Sequence, residues 1–193
     1  MKTRESGMPE EETWRSFFDP EAILDTLRLD NHVKKAVDFG CGYGTFALPA
    51  ARRIQGTLYG LDIESSMLEE CGRRAREAGV DNLQLHLRDF VQEGTGIEAD
   101  SIDYVMLFNI LHAEKPLLLL REAWRILRPQ GRVGVIHWNY DATTPRGPSM
   151  EIRPRPEDCQ RWIEEAGFDV EKGVVDLPPY HYGLIGRKRI TTP

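Results

Sequence analysis

The sequence predicts an α/β fold, a mostly parallel β-sheet with helices on both faces and an antiparallel hairpin formed by its last strands. Three observations carry this. Short runs rich in Val, Ile, Leu and aromatics alternate with stretches of helical periodicity, and parallel strands need such crossovers to be joined. A glycine-rich turn sits between the first strand and the helix after it. The last two apolar runs are joined by a connection, DLPPYHYG, too short for a crossover, so they pair antiparallel.

In chain order, Ile23, Leu24 and Leu27 recur at helical spacing over residues 20–28. Residues 35–39 (KAVDF) read as the first strand, 46–54 as a helix and 55–61 as the second strand. Ser66-Met67-Leu68-Glu69 has the form of a capping box, with Gly79 stopping that helix after Ala78. Strands follow at 83–87 and 102–108. Pro116 opens a helix with Leu117, Leu120, Trp124 and Leu127 on one stripe, ending before Pro129, and residues 132–138 give the fifth strand. Residues 139–156, with Pro145, Pro148, Pro154, Pro156 and Gly147, read as a long loop inside the domain. A helix over 157–166 ends at Gly167, and strands at 168–176 and 182–187 complete the pattern.

The 193 residues suffice for one domain with a real core, in which residues 1–34 form an N-terminal helical cap. Twenty-five basic against 31 acidic residues give a net charge of −6, which excludes broad attraction to nucleic acid or to an anionic membrane. Cys41, Cys71 and Cys159 lie far apart, neither a disulfide framework nor a metal spacing, and this fits a reducing cytosol. The opening MKTRESGMPEEE has no apolar core of a signal peptide. A cytoplasmic monomer or homodimer without metal is expected.

The sharpest local signal is Val37-Asp38-Phe39-Gly40-Cys41-Gly42-Tyr43-Gly44. Residues without side chains let the backbone turn tightly and approach a ligand beside a helix N-terminus. A turn with no ligand is the alternative. The dinucleotide fingerprint G-x-G-x-x-G needs glycine at position 45, which is Thr45. Asp38, Asp62 and Asp89 all end strand candidates on one rim. A carboxylate there can accept both hydroxyls of a ribose, although each Asp alone also suits a helix cap or turn.

With these motifs the chain resembles the class I S-adenosylmethionine (SAM)-dependent methyltransferases of small-molecule type over nearly all its length. DFGCGYG resembles that family's D-x-G-x-G-x-G motif. The resemblance implies a Rossmann-like seven-stranded sheet, with Asp38, Gly40, Cys41, Gly42 and Gly44 at the cofactor and the glycines beneath its methionine portion. It further implies Asp62 on the ribose, with Ile63 and Met67 beside it, and Asp89-Phe90 at the adenine. FNILH, residues 108–112, resembles the segment lining the methionine part and the acceptor, with Asn109 ordering backbone at the cofactor. LREAWRILRPQGRVGV resembles the fifth helix and strand, with Gln130 in place of a usual glycine.

Methyl transfer from a sulfonium needs orientation and electrostatics, with a base only where the acceptor must lose a proton. His112 is the base candidate, its alternative being a helix-start residue before Pro116. Trp138, beside His137, reads as acceptor-pocket floor or as ordinary core. Trp14, with Phe17 and Phe18, reads as part of a lid that begins at Arg4–Pro9, or as simple helix docking. Arg146, Arg153 and Arg155 would suit an anionic acceptor, or a solvated loop. A small-molecule acceptor is the leading expectation. An RNA or protein acceptor, or SAM binding without catalysis, are the competing readings.

Overall fold

The computed structural model describes residues 13–14 and 16–190. Its elements are α1 (Pro20–Thr26), β1 (Lys35–Phe39), α2 (Ala47–Arg53), β2 (Thr57–Asp62), α3 (Ser65–Glu77), β3 (Leu83–Leu87), β4 (Ile102–Phe108), α4 (Pro116–Ile126), β5 (Leu127–Trp138), α5 (Pro156–Glu165), β6 (Phe168–Leu177) and β7 (His181–Lys188). The seven strands form one sheet in the order β3-β2-β1-β4-β5-β7-β6. The first five run parallel, and β7 pairs antiparallel with both β5 and β6. The order reverses between β1 and β4, and such sheets bind ligands outside the strand carboxyl ends at that point.

Alternation along the strands divides the core. Val37, Phe39, Val105, Leu107, Val133 and Val135 belong to one buried cluster. Ala36, Tyr104, Met106 and Ile136, their chain neighbours, belong to a second that includes Leu24 and Leu27 of the N-terminal segment. A period of two sends neighbouring side chains to opposite faces. Helix α1 starts where Asp19 accepts from the Ala22 N–H at 3.1 Å and Pro20 opens the first turn.

Two local expectations are corrected. No capping box forms at Ser66. The Asp62 carboxylate accepts from the Glu64 N–H at 3.0 Å and turns the chain, so α3 starts at Ser65 without a side-chain cap. Gly79 does stop that helix, at φ +64°, with the Val80 N–H donating back to Ala75 O. In α4 the buried residues are Leu119, Leu120, Ala123 and Ile126, a face rotated from the stripe expected through Leu117.

Candidate active site

A cavity of about 400 Å³ opens at the carboxyl ends of β1, β2 and β4, within the range of small-molecule sites. Its lower half is the glycine turn. Gly40 and Cys41 N–H groups donate to Leu61 O at 2.8 and 3.0 Å, which ties the turn to β2. Gly40 and Gly42 take φ of +78° and +51° and line the cavity. Gly44 also has positive φ, but it faces the protein: a Cβ there would lie 2.2 Å from Leu48 Cδ1 and 2.6 Å from Cys71 Sγ. The absence of a side chain there allows close packing against Leu48 and Cys71. Cys41 lines the cavity, while a hydrogen bond with Cys71 and burial push its thiol pKa up, so it is no nucleophile.

Asp62 accepts from the Gly42 N–H at 2.8 Å as well as from Glu64, and lines the cavity. Burial raises its pKa while those N–H groups oppose the rise. Asp38, only 3% exposed, has its pKa raised to about 8 by burial and then by Asp62. Ile63, Asp89 and Phe90 are on the wall. Asp89 also accepts from the Gln92 N–H at 3.1 Å, and the Phe90 ring lies 5.1 Å from Phe39. Met67 is not on the wall. It lies in the first turn of α3, held by its N–H to Glu64 O.

Two residues of the wall carry polar side-chain atoms that are buried without a hydrogen-bond partner. Asn109 lines the cavity at φ +57°, a conformation rare outside glycine, and both its amide atoms are buried without a hydrogen-bond partner. Thr45, 8% exposed, lines it with an unpartnered hydroxyl. Thr45 entered the sequence reading only as a non-glycine. Its place directly after Gly44, at a helix start, was the available signal. Buried polar groups without partners are uncommon.

The upper half is aromatic and imidazole. Trp14, Phe46, Phe108 and His112 line it. His112 Nδ1 stands 3.3 Å from Nε2 of His137. Trp138 is not part of the floor. It is 1% exposed and stacks among His181 (4.3 Å), Phe17 (5.4 Å) and Trp14 (6.3 Å). His137 and Trp138 are consecutive on β5, so only one of them can face His112. Phe18 packs on Phe46 and His181 behind the wall. Arg4–Pro9, the expected start of a lid, lies outside the described residues.

The loop arginines do not meet the cavity either. Arg153 is buried and makes six hydrogen bonds, to the carbonyls of Asn139, Asp141, Arg146 and, twice, Pro148, and to the Thr144 hydroxyl. Arg155 lies over the Tyr140 ring at 3.8 Å. No helix among the described residues is long and apolar enough to cross a membrane.

The family pattern described as a methyltransferase domain matches residues 36–131, from β1 into β5. The chain thus carries a methyltransferase domain with the fold of SAM-dependent methyltransferases. It is 33% identical over 125 residues to the ubiquinone biosynthesis O-methyltransferase of Actinobacillus pleuropneumoniae, covering 59% of this chain and 53% of that one. It is 34% identical over 125 residues to the nocamycin O-methyltransferase of Saccharothrix syringae, covering 62% and 43%. The chain thus spans about half the length of these curated relatives. A SAM-dependent methyltransferase from Aquifex aeolicus has the same fold, at a TM-score of 0.80 and 20% identity over 92% of this chain and 93% of that one.

In this domain Asp38 gives a prediction on stability. With a folded pKa of about 8 against an ordinary 3.8, its contribution is fully present below about pH 4 and lost as pH rises through about 8. The limiting slope is about 1.4 kcal/mol per pH unit. Asp38→Asn removes that loss, so urea unfolding at pH 5, 6.5 and 8 should show the variant gaining on wild type as pH rises. Comparing the two chains cancels the buried histidines, which titrate in both. Parallel pH curves would refute the burial of a proton on Asp38.

Proposed function

We propose that this chain methylates a small molecule held between His112 and Trp14, using SAM bound over the glycine turn. One observation carries the proposal: a single cavity runs from Gly42 and the carboxylates to His112 and the aromatic wall. The residues suit the cofactor. Asp62 offers its oxygens to ribose hydroxyls, Asp89 accepts from the adenine amine while Phe90 packs the ring, and Asp38, protonated near neutral pH in the free chain, would give up that proton to face a cationic end. The unpaired Asn109 amide and Thr45 hydroxyl are polar groups in want of a partner there. When bound, SAM supplies an electrophilic methyl group on a sulfonium. His112 takes the proton of an acceptor that arrives protonated, and Trp14, Phe46 and Phe108 keep bulk water from the reacting groups. O-Methyltransferases of small molecules among the relatives support this acceptor class over RNA or protein.

Calorimetric titration with SAM and with NAD, followed by a labelled-methyl assay on separated small-molecule, RNA and protein fractions of an extract, tests it. SAM alone should bind, and label should enter the small-molecule fraction. Asp62→Ala leaves two hydroxyls without their acceptor, and losing hydrogen bonds to a charged group costs roughly 1.5–3 kcal/mol, so SAM should bind about ten- to a hundredfold more weakly. Unchanged affinity removes Asp62 from the site. Label in the RNA or protein fraction overturns the acceptor assignment.

A further inference from the structure

We infer that Arg74 is a positioning residue for cofactor binding: reaching from α3, it holds the Tyr43 carbonyl and keeps the glycine turn in the shape that a ligand meets. The inference deepens the reading of this turn as the SAM site and rests on it. Arg74 lies in the last turn of α3, and its Nη1 donates to Tyr43 O at 2.8 Å. Cys71, fully buried, stands one turn earlier, and its Sγ would lie 2.6 Å from a Cβ at Gly44. Residues three apart share a helix face, so one face of α3 backs the glycine turn through both side chains. Arg74 is not on the cavity wall and acts through the backbone it holds.

Glycine restricts its own backbone least of all residues, so a turn built on Gly40, Gly42 and Gly44 takes its shape from what it is tied to. The N–H groups of Gly40 and Cys41 are tied to β2 at Leu61 O, and that of Gly42 to the Asp62 carboxylate. The Gly44 N–H donates to Cys41 O at 2.9 Å, which closes a β-turn over residues 41–44. Tyr43 C=O and Gly44 N–H belong to one peptide group, and that group is planar. Cys41 O grips its N–H end and Arg74 its carbonyl end, so it cannot swing. The Arg74 bond has an ionised donor, and such bonds are stronger than neutral ones. Without Arg74 the plane keeps one tie only. Its rotation would shift Gly42, the neighbour that lines the cavity, and SAM would have to order the turn as it binds, at a cost in affinity. Arg73, the next residue on α3, turns instead to Glu70 and Glu77.

Amide hydrogen exchange of the full chain without ligand, followed residue by residue, and calorimetric titration with SAM test this on wild type, Arg74→Met, Arg74→Lys and Arg73→Met. Arg74→Met keeps the aliphatic stem and removes the donor. Its Gly44 amide should exchange at least about tenfold faster, as loss of a bond to a charged group predicts, with the amides of β1 and β4 unchanged. SAM should bind it about five- to twentyfold more weakly, the cost of ordering the turn. The bond to Tyr43 O uses one nitrogen, so the lysine ammonium can donate in its place, and Arg74→Lys should recover most of both losses. Arg73→Met removes the same charge one residue away and should change neither. A wild-type chain that binds no SAM counts against the proposed function, and the exchange result, which needs no ligand, is read apart from it. Unchanged exchange at Gly44 in Arg74→Met overturns the inference. So does a SAM affinity within about twofold of a wild type that binds, since a lost tie should cost more. Equal losses in Arg74→Lys and Arg74→Met, or amides of β1 and β4 that speed up as much as Gly44, would mean that Arg74 serves the whole fold, and would overturn it too.

Discussion

Gly42→Val should abolish SAM binding while leaving the rest of the sheet folded. Position 42 combines a φ of +51° with a place on the cavity wall and an N–H that donates to Asp62 at 2.8 Å. Left-handed backbone costs an ordinary L-residue roughly 1–2 kcal/mol, and a β-branched one more. Relaxing that strain moves the N–H off the carboxylate, while the isopropyl group occupies space that a ligand needs. Calorimetry should detect no binding at a hundred times the wild-type Kd. Gly79→Val is the control, because Gly79 has φ +64° with nothing within 4 Å of an added Cβ and lies off the cavity. It should lose comparable stability and bind SAM normally. A Gly42→Val chain that binds within threefold of wild type would show that the turn does not meet the cofactor.

The largest expected loss of stability is Trp138→Ala. Deleting a buried tryptophan costs about 3–5 kcal/mol, which for a domain of this size lowers the thermal midpoint by about 10 °C. The ring fills the space between Phe17, Trp14 and His181, so its removal also takes the backing from the Trp14 wall of the cavity. Trp14→Ala should do the opposite: a smaller change in midpoint, since Trp14 is only partly buried, and a clear loss of methyl transfer. Calorimetric scans and the labelled-methyl assay on both variants separate the two roles. A Trp138→Ala chain that melts as wild type would return that ring to the cavity floor.

Strands β1, β3 and β4 were legible to the residue because polar or turn-forming residues bound short apolar runs, and the pairing of β6 with β7 followed from a connection too short to cross over. The start of α3 differs from the expectation because the Asp62 carboxylate turns the chain at Glu64, so the helix begins at Ser65, before Ser66, with no side-chain cap. Gly44 stands in a turn, and its packing against Leu48 and Cys71 follows no strand alternation. For Trp138, sequence shows that neighbouring strand residues face opposite ways, but which face looks into the cavity depends on what packs beneath, here an aromatic cluster. The same ambiguity hid His137, which sits one residue from the residue chosen. The arginines of the long loop carried charge in sequence, but Arg153 spends it on carbonyls of its own loop, a use that composition does not reveal.

Phe18 and His181 meet ring to ring at 4.4 Å from opposite ends of the described residues. During synthesis, β1 to β4 and the carboxylates among them emerge before β5 to β7. The aromatic packing behind the cavity waits for Trp138, Tyr180 and His181 to leave the ribosome and for the N-terminal aromatics to meet them. Contacts this distant in sequence close slowly. A chain cut before Trp138 therefore lacks the ring packing behind the cavity, and on the proposed reading it should transfer no methyl group even where the glycine turn forms.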